Sequence, residues 1–111
     1  MDRNKQARHK ATGVIFEWGK HWEMWNELAE SGSKDKLSCS NSSEIVNLDG
    51  RCFACNSIKH YLSCGFCPLI LDCNEDDSYF EVWRNANNTD KIKQYAAKIR
   101  DAKLSPEWEE I

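Results

Sequence analysis

Two apolar stripes at helical spacing, with two C-x-x-C pairs between them, predict a mainly α-helical fold carrying a small knuckle or ribbon of cysteines. A chain of 111 residues is the size of one domain, so residues 1–111 read as a single unit. A domain this short buries only about two thirds of the surface it exposes when unfolded, and an additional staple is useful to it. The hydrophobic share of 41%, including five tryptophans, is enough for a compact core.

Residues 1–13 are polar and mildly basic, with Arg3, Lys5, Arg8 and Lys10. They read as a polar arm, frayed or continuing into the first turns of a helix. Over residues 14–31, Ile15, Trp18, Trp22, Trp25 and Ala29 recur at steps of 3, 4, 3 and 4, with Leu28 beside them. That is the apolar stripe of a tryptophan-rich helix. His21 and Glu23 fall beside the stripe, where solvated side chains are expected, and Gly32 supplies a C-cap.

Residues 31–50, rich in Ser, Asn and Asp, read as a loop ending in the turn signal Asp49-Gly50. Residues 51–73 form the cysteine module. Ser78 with Glu81 makes a capping box for a short helix over 79–86. Thr89 is placed to cap a last helix from 90 to about 103, so that residues 79–104 hold the C-terminal helices. Ile92, Tyr95, Ala96, Ile99 and Ala102 form its apolar stripe, with Lys91, Lys93, Lys98 and Arg100 toward water. Ser105-Pro106 restarts a turn or helix, and Trp108 is the docking residue of the tail.

Cys52/Cys55 and Cys64/Cys67 are separated by eight residues. A C-x-x-C turn aims two thiolates at one point, and two such turns complete a tetrahedron around structural Zn2+. In small folds the metal adds roughly 10 kcal/mol or more of folding free energy. Cys73 is a substitute ligand, and Cys39 and His60 are near enough in sequence to compete for a place. A thiol-redox reading rests on Cys64-Gly65-Phe66-Cys67-Pro68, which has the look of a thioredoxin-type dithiol. It lacks the preceding buried strand of a βαβ unit.

Other chemistry fits less well. His21-Trp22-Glu23 ahead of Cys52 and Cys55 follows the order of the zinc deaminases, but Arg51 stands where that signature has proline. His9, His21 and His60 do not make the pair that an HNH-type nuclease needs around a second metal. Asp72, Asn74, Asp76 and Ser78 alternate like a calcium loop, yet Asp77 replaces the glycine and Trp83 the bidentate glutamate.

Lys plus Arg number 15 against 18 Asp plus Glu, for a net charge of −3, which argues against a dedicated duplex-binding protein. No signal peptide and no run of about 18 apolar residues is present, so a soluble, reducing, cytoplasmic setting is expected. Trp18, Trp22 and Trp25 serve either as core filler or as a docking surface, since tryptophan is enriched in binding hot spots. Stacking on single-stranded nucleic acid, helped by Arg3, Arg8 and Lys10, is a third use.

The segments "HWEMWNELAESG", "CFAC", "CGFCPL", Cys73 and "YFEVWRNAN" with "KIKQYAAKIRDAK" together resemble a group of small cysteine-containing proteins encoded by bacteriophages and prophages, over most of residues 20–104. The resemblance implies an accessory protein acting in the cytoplasm of an infected bacterium. By analogy with such proteins it implies a non-catalytic binder of a bacterial host protein, with inhibition of a defence system (anti-CRISPR type) as the leading form. Trp18, Trp22 and Trp25, and the acidic Glu75, Asp76 and Asp77, are the expected partner contacts. A nucleic-acid-binding accessory factor using the basic arm and the zinc module is the alternative, and a deaminase-like or thiol-redox enzyme ranks third.

Overall fold

The computed structural model describes residues 2–35, 39, 68–69 and 78–111. Within these residues three helices pack beside a small three-stranded antiparallel sheet, a mixed α/β frame. The helices agree with the mainly α expectation; the sheet does not.

The sheet arises where a polar arm was expected. Ala7–His9 form β1, with Ala7 and His9 buried and Arg8 exposed. Ile15–Phe16 form β2 and Trp108–Glu110 form β3, in the order β2-β1-β3. Ala7 pairs with Phe16 on one side and Glu110 on the other; Arg8 pairs with Ile15 and Glu109. The β1–β2 hairpin closes through His9 N–H to Val14 O at 2.9 Å and Gly13 N–H to His9 O at 2.9 Å. Gly13 has φ of +75°, a left-handed conformation that glycine adopts without strain. The inward face of the sheet, Ala7, Phe16, His9 and Trp108, is buried.

Helix α1 spans Trp18–Ser31, so the tryptophan-rich helix begins later than residue 14 because residues 15–16 are in β2. Ile15 is consequently not part of a helical stripe and is 40% exposed. The C-terminus is as expected: Gly32 at φ +73° donates its N–H to Leu28 O. The buried face of α1 is Gly19, His21, Met24, Trp25 and Leu28, rotated from the tryptophan stripe. His21 at 0% exposure is a core residue rather than a solvated one, while Trp22 lies at the edge. Residues 21, 24, 25 and 28 share one side of a 3.6-residue helix, and that side meets the C-terminal helix.

Helix α2 spans Tyr79–Asn85 and is capped as the sequence implies, with Glu81 N–H donating to Ser78 Oγ at 3.2 Å. Helix α3 spans Thr89–Arg100, and its N-cap is Asn88 rather than Thr89: Lys91 N–H donates to Asn88 Oδ1 at 2.8 Å. Asn is a stronger N-cap than Thr. α3 packs against both α1 and α2. Ala96 and Ile99 are buried, and Ile92, Tyr95 and Ala102 pack against the core. At Ser105-Pro106 the tail makes the turn rather than the helix of the two expected alternatives, with Trp108 N–H donating to Ser105 O at 3.0 Å. It then runs on as β3, where Trp108 docks at 3% exposure.

The core is aromatic. Trp25 meets Trp83 edge-on at 4.8 Å between centroids, and Phe16 and Trp108 are edge-on at 6.4 Å. Residues 68–69 join the frame through Ser105 N–H to Pro68 O at 2.7 Å and the Leu69–Leu104 bridge.

Candidate functional site

The arm folds onto the molecule because its cations meet carboxylates. Arg3 Nε lies 3.1 Å from Glu23 Oε2, Arg8 Nη2 lies 2.6 Å from Glu109 Oε1, and Lys5 pairs with Glu110. Gly19 N–H donates to Lys5 O at 2.8 Å, and Gln6 Nε2 donates to Glu17 Oε1 at 2.9 Å. Three cations of the basic arm, Arg3, Lys5 and Arg8, are thus each paired with a carboxylate of the chain itself.

The three helix tryptophans separate. Trp25 is fully buried among Trp83, Phe80 and His21. In this fold it is a core residue. Trp18 packs against the core while partly exposed. Trp22 is also partly exposed and lies beneath the Arg100 guanidinium, 5.7 Å from its ring centroid. Arg100 is held in place by two bonds of 2.9 Å to Asp101 and one of 2.8 Å from Nη1 to Asn26 Oδ1 on α1. The bonds between Arg100 and Asp101 raise the Arg100 pKa and hold the Asp101 carboxyl below its ordinary value.

His21 is enclosed by Phe16 and Trp25, with Nε2 3.4 Å from Ile99 O. Among the described residues its buried Nδ1 has no hydrogen-bond partner. Glu23 points outward to Arg3, so the two outer members of His21-Trp22-Glu23 do not converge on a common point as a deaminase site requires.

Cys39 is 6% exposed and its Sγ approaches Met24 O at 3.8 Å. Burial first, then Glu27 through its charge and a hydrogen bond, then Asp35 and Glu23, push this thiol up to about 11. A thiol surrounded by carboxylates and held in the core is poorly suited to be a thiolate ligand. Cys52, Cys55, Cys64, Cys67, Cys73 and His60, and the acidic Glu75, Asp76 and Asp77, lie outside the described residues. Among the described residues no helix is long and apolar enough to cross a membrane.

One further feature gave no signal in the sequence. Lys98 Nζ sits 5.3 Å from the Tyr79 ring centroid and 4.9 Å from that of Tyr95, and the two rings lie edge-on at 6.2 Å. The i, i+3 spacing of Tyr95 and Lys98 was legible, but Tyr79 enters from α2. No protein-family model, no curated protein and no solved structure matches the chain.

Proposed function

We propose that the chain is a phage-encoded, non-catalytic protein that docks on a bacterial host protein in the cytoplasm and inhibits a defence system. In this reading structural Zn2+ on Cys52, Cys55, Cys64 and Cys67 completes the scaffold. The observation that carries the docking reading is the divergence of the tryptophans: Trp25 is fully buried, whereas Trp22 remains partly exposed under a braced arginine. An indole beside an immobilised guanidinium loses little further freedom on binding, and tryptophan and arginine are the residues that dominate interface hot spots. The phage origin and the defence target rest on the resemblance of the sequence segments, and the zinc site rests on the paired C-x-x-C spacing. Ion pairing of Arg3, Lys5 and Arg8 favours this reading over a nucleic-acid-binding accessory.

The test is capture from bacterial lysate by the purified, zinc-analysed protein. Stoichiometric retention of one host protein, lost on Trp22→Ala, supports the proposal. A protein that retains nothing and remains an inert monomer ends it.

A further inference from the structure

Each arginine among the described residues faces a carboxylate: Arg3 with Glu23, Arg8 with Glu109, Arg84 with Glu81 and Arg100 with Asp101. Lys98 is held differently. Its ammonium lies over the rings of Tyr79 and Tyr95, which positions the charge while leaving its N–H donors available. Lys98 and Lys103 line a groove of about 430 Å³ beside the start of α2 and the end of α3, completed by Tyr79, Ala97, Asp101 and Ala102. That volume lies in the range of roughly 300–1,000 Å³ typical of built binding pockets.

The charge of the groove is set by its lysines. Asp101 already accepts two bonds of 2.9 Å from Arg100, so its negative charge is matched within the wall. Tyr79 offers apolar surface at 38% exposure, and Ala97 and Ala102 leave room beside it. A cationic, aromatic-walled recess on a chain of net charge −3 is a local reversal of sign. It complements an anion that also carries a flat or branched apolar group.

We propose that this groove binds an acidic peptide segment of the partner protein, with one apolar side chain entering against Tyr79 and flanking carboxylates meeting Lys98 and Lys103. The inference rests on the docking function proposed above and names the chemistry of one contact. The probe is a blocked pentapeptide with a central phenylalanine flanked by aspartates, titrated into the full chain and followed by amide and side-chain NMR shifts. The control peptide has lysines in place of the aspartates.

Saturable shifts centred on Tyr79, Ala97 and Ala102, absent with the control, are expected. Lys103→Glu, an exposed position beyond α3, should weaken binding about tenfold, the loss of one charge-assisted bond. Equal binding of the basic peptide, unchanged affinity in Lys103→Glu, or absence of saturable shifts at the groove overturns the proposal. Lysate capture separates the two ideas. A host protein retained equally by the parent chain and Lys103→Glu sinks the groove but keeps the docking function; peptide binding with no captured protein does the reverse.

Discussion

Arg100 on α3 donates through Nη1 to Asn26 Oδ1 on α1 at 2.8 Å, while its other nitrogens grip Asp101. One side chain therefore joins two helices, covers Trp22 and sits at the end of α3 where a cation suits the helix dipole. Arg100→Ala should lower stability by about 1 kcal/mol, measured by urea denaturation. Arg100→Lys should recover little of it, since an ammonium cannot make the two-pronged bond to Asp101.

The same contact gives an acid-side prediction. Asp101 titrates below its ordinary 3.8, first because of the Arg100 hydrogen bond. A depressed folded-state pKa contributes stability above the unfolded value and loses it as pH falls through the folded one. The parent chain should therefore lose more stability than Arg100→Ala as pH drops below about 4. Parallel acid-denaturation profiles for the two would sink the assignment.

Gly19 is the point where the N-terminal arm crosses α1. A Cβ built there would lie 2.5 Å from the carbonyl oxygen of Arg3, a backbone atom with no side-chain freedom to yield. Replacing a helical glycine by alanine ordinarily stabilises, by up to about 0.5–1 kcal/mol in a helix interior, and Gly19 lies in the first turn of α1. Here Gly19→Ala should instead destabilise, pushing the segment of Asp2, Arg3 and Lys5 off the start of α1 and lowering the thermal midpoint. An unchanged or raised midpoint would mean that the arm does not cross at this point.

How far the sequence foretold this frame depended on how local each determinant is. The Ser78 cap and the Gly32 stop were legible because each involves residues only three or four apart. The sheet was not, because its strands have two or three residues and Arg8 meets Glu109 from 101 positions away. Strands that short carry too little alternation to stand out from a polar arm. The tryptophan stripe misled for a different reason. Trp22 satisfies helical periodicity as well as Met24 does, and only the position of α3 decides that His21, Met24, Trp25 and Leu28 form the inner face. Of the candidate site, the tryptophans could be named in advance, but their division into core and surface is a tertiary property.

Cys39 yields a prediction on the alkaline side and on metal content. Its thiol pKa stands at about 11 against an ordinary 9.0, chiefly through burial. A raised folded-state pKa contributes stability that is complete below pH 9 and lost as pH rises toward 11. Cys39→Ala should show a flatter stability profile over that window than the parent. Burial and the raised pKa keep this thiol protonated near neutral pH, so native-state alkylation mapped by mass spectrometry should leave it unmodified. Zinc content should be the same in Cys39→Ala as in the parent; a loss of metal would return Cys39 to the ligand set.

The strongest separation of scaffold from surface comes from two tryptophans three residues apart. Trp25 is enclosed by Trp83, Phe80 and His21, so Trp25→Ala leaves a cavity in the aromatic core and should cost about 3–5 kcal/mol. For a domain of this size such a loss approaches the whole stability, and an unfolded product is the expected result. Trp22 is only partly buried, so its truncation forfeits part of the indole's packing and a cation–π contact with Arg100 of about 0.5–2 kcal/mol, less than the loss at Trp25. On the docking function proposed above, Trp22→Ala should therefore fold and keep a cooperative transition while losing capture of a host protein. If Trp22→Ala unfolds as Trp25→Ala does, Trp22 belongs to the core and the docking surface lies elsewhere. If it folds and captures undiminished, the indole is an incidental surface residue and the function proposed for this face is wrong.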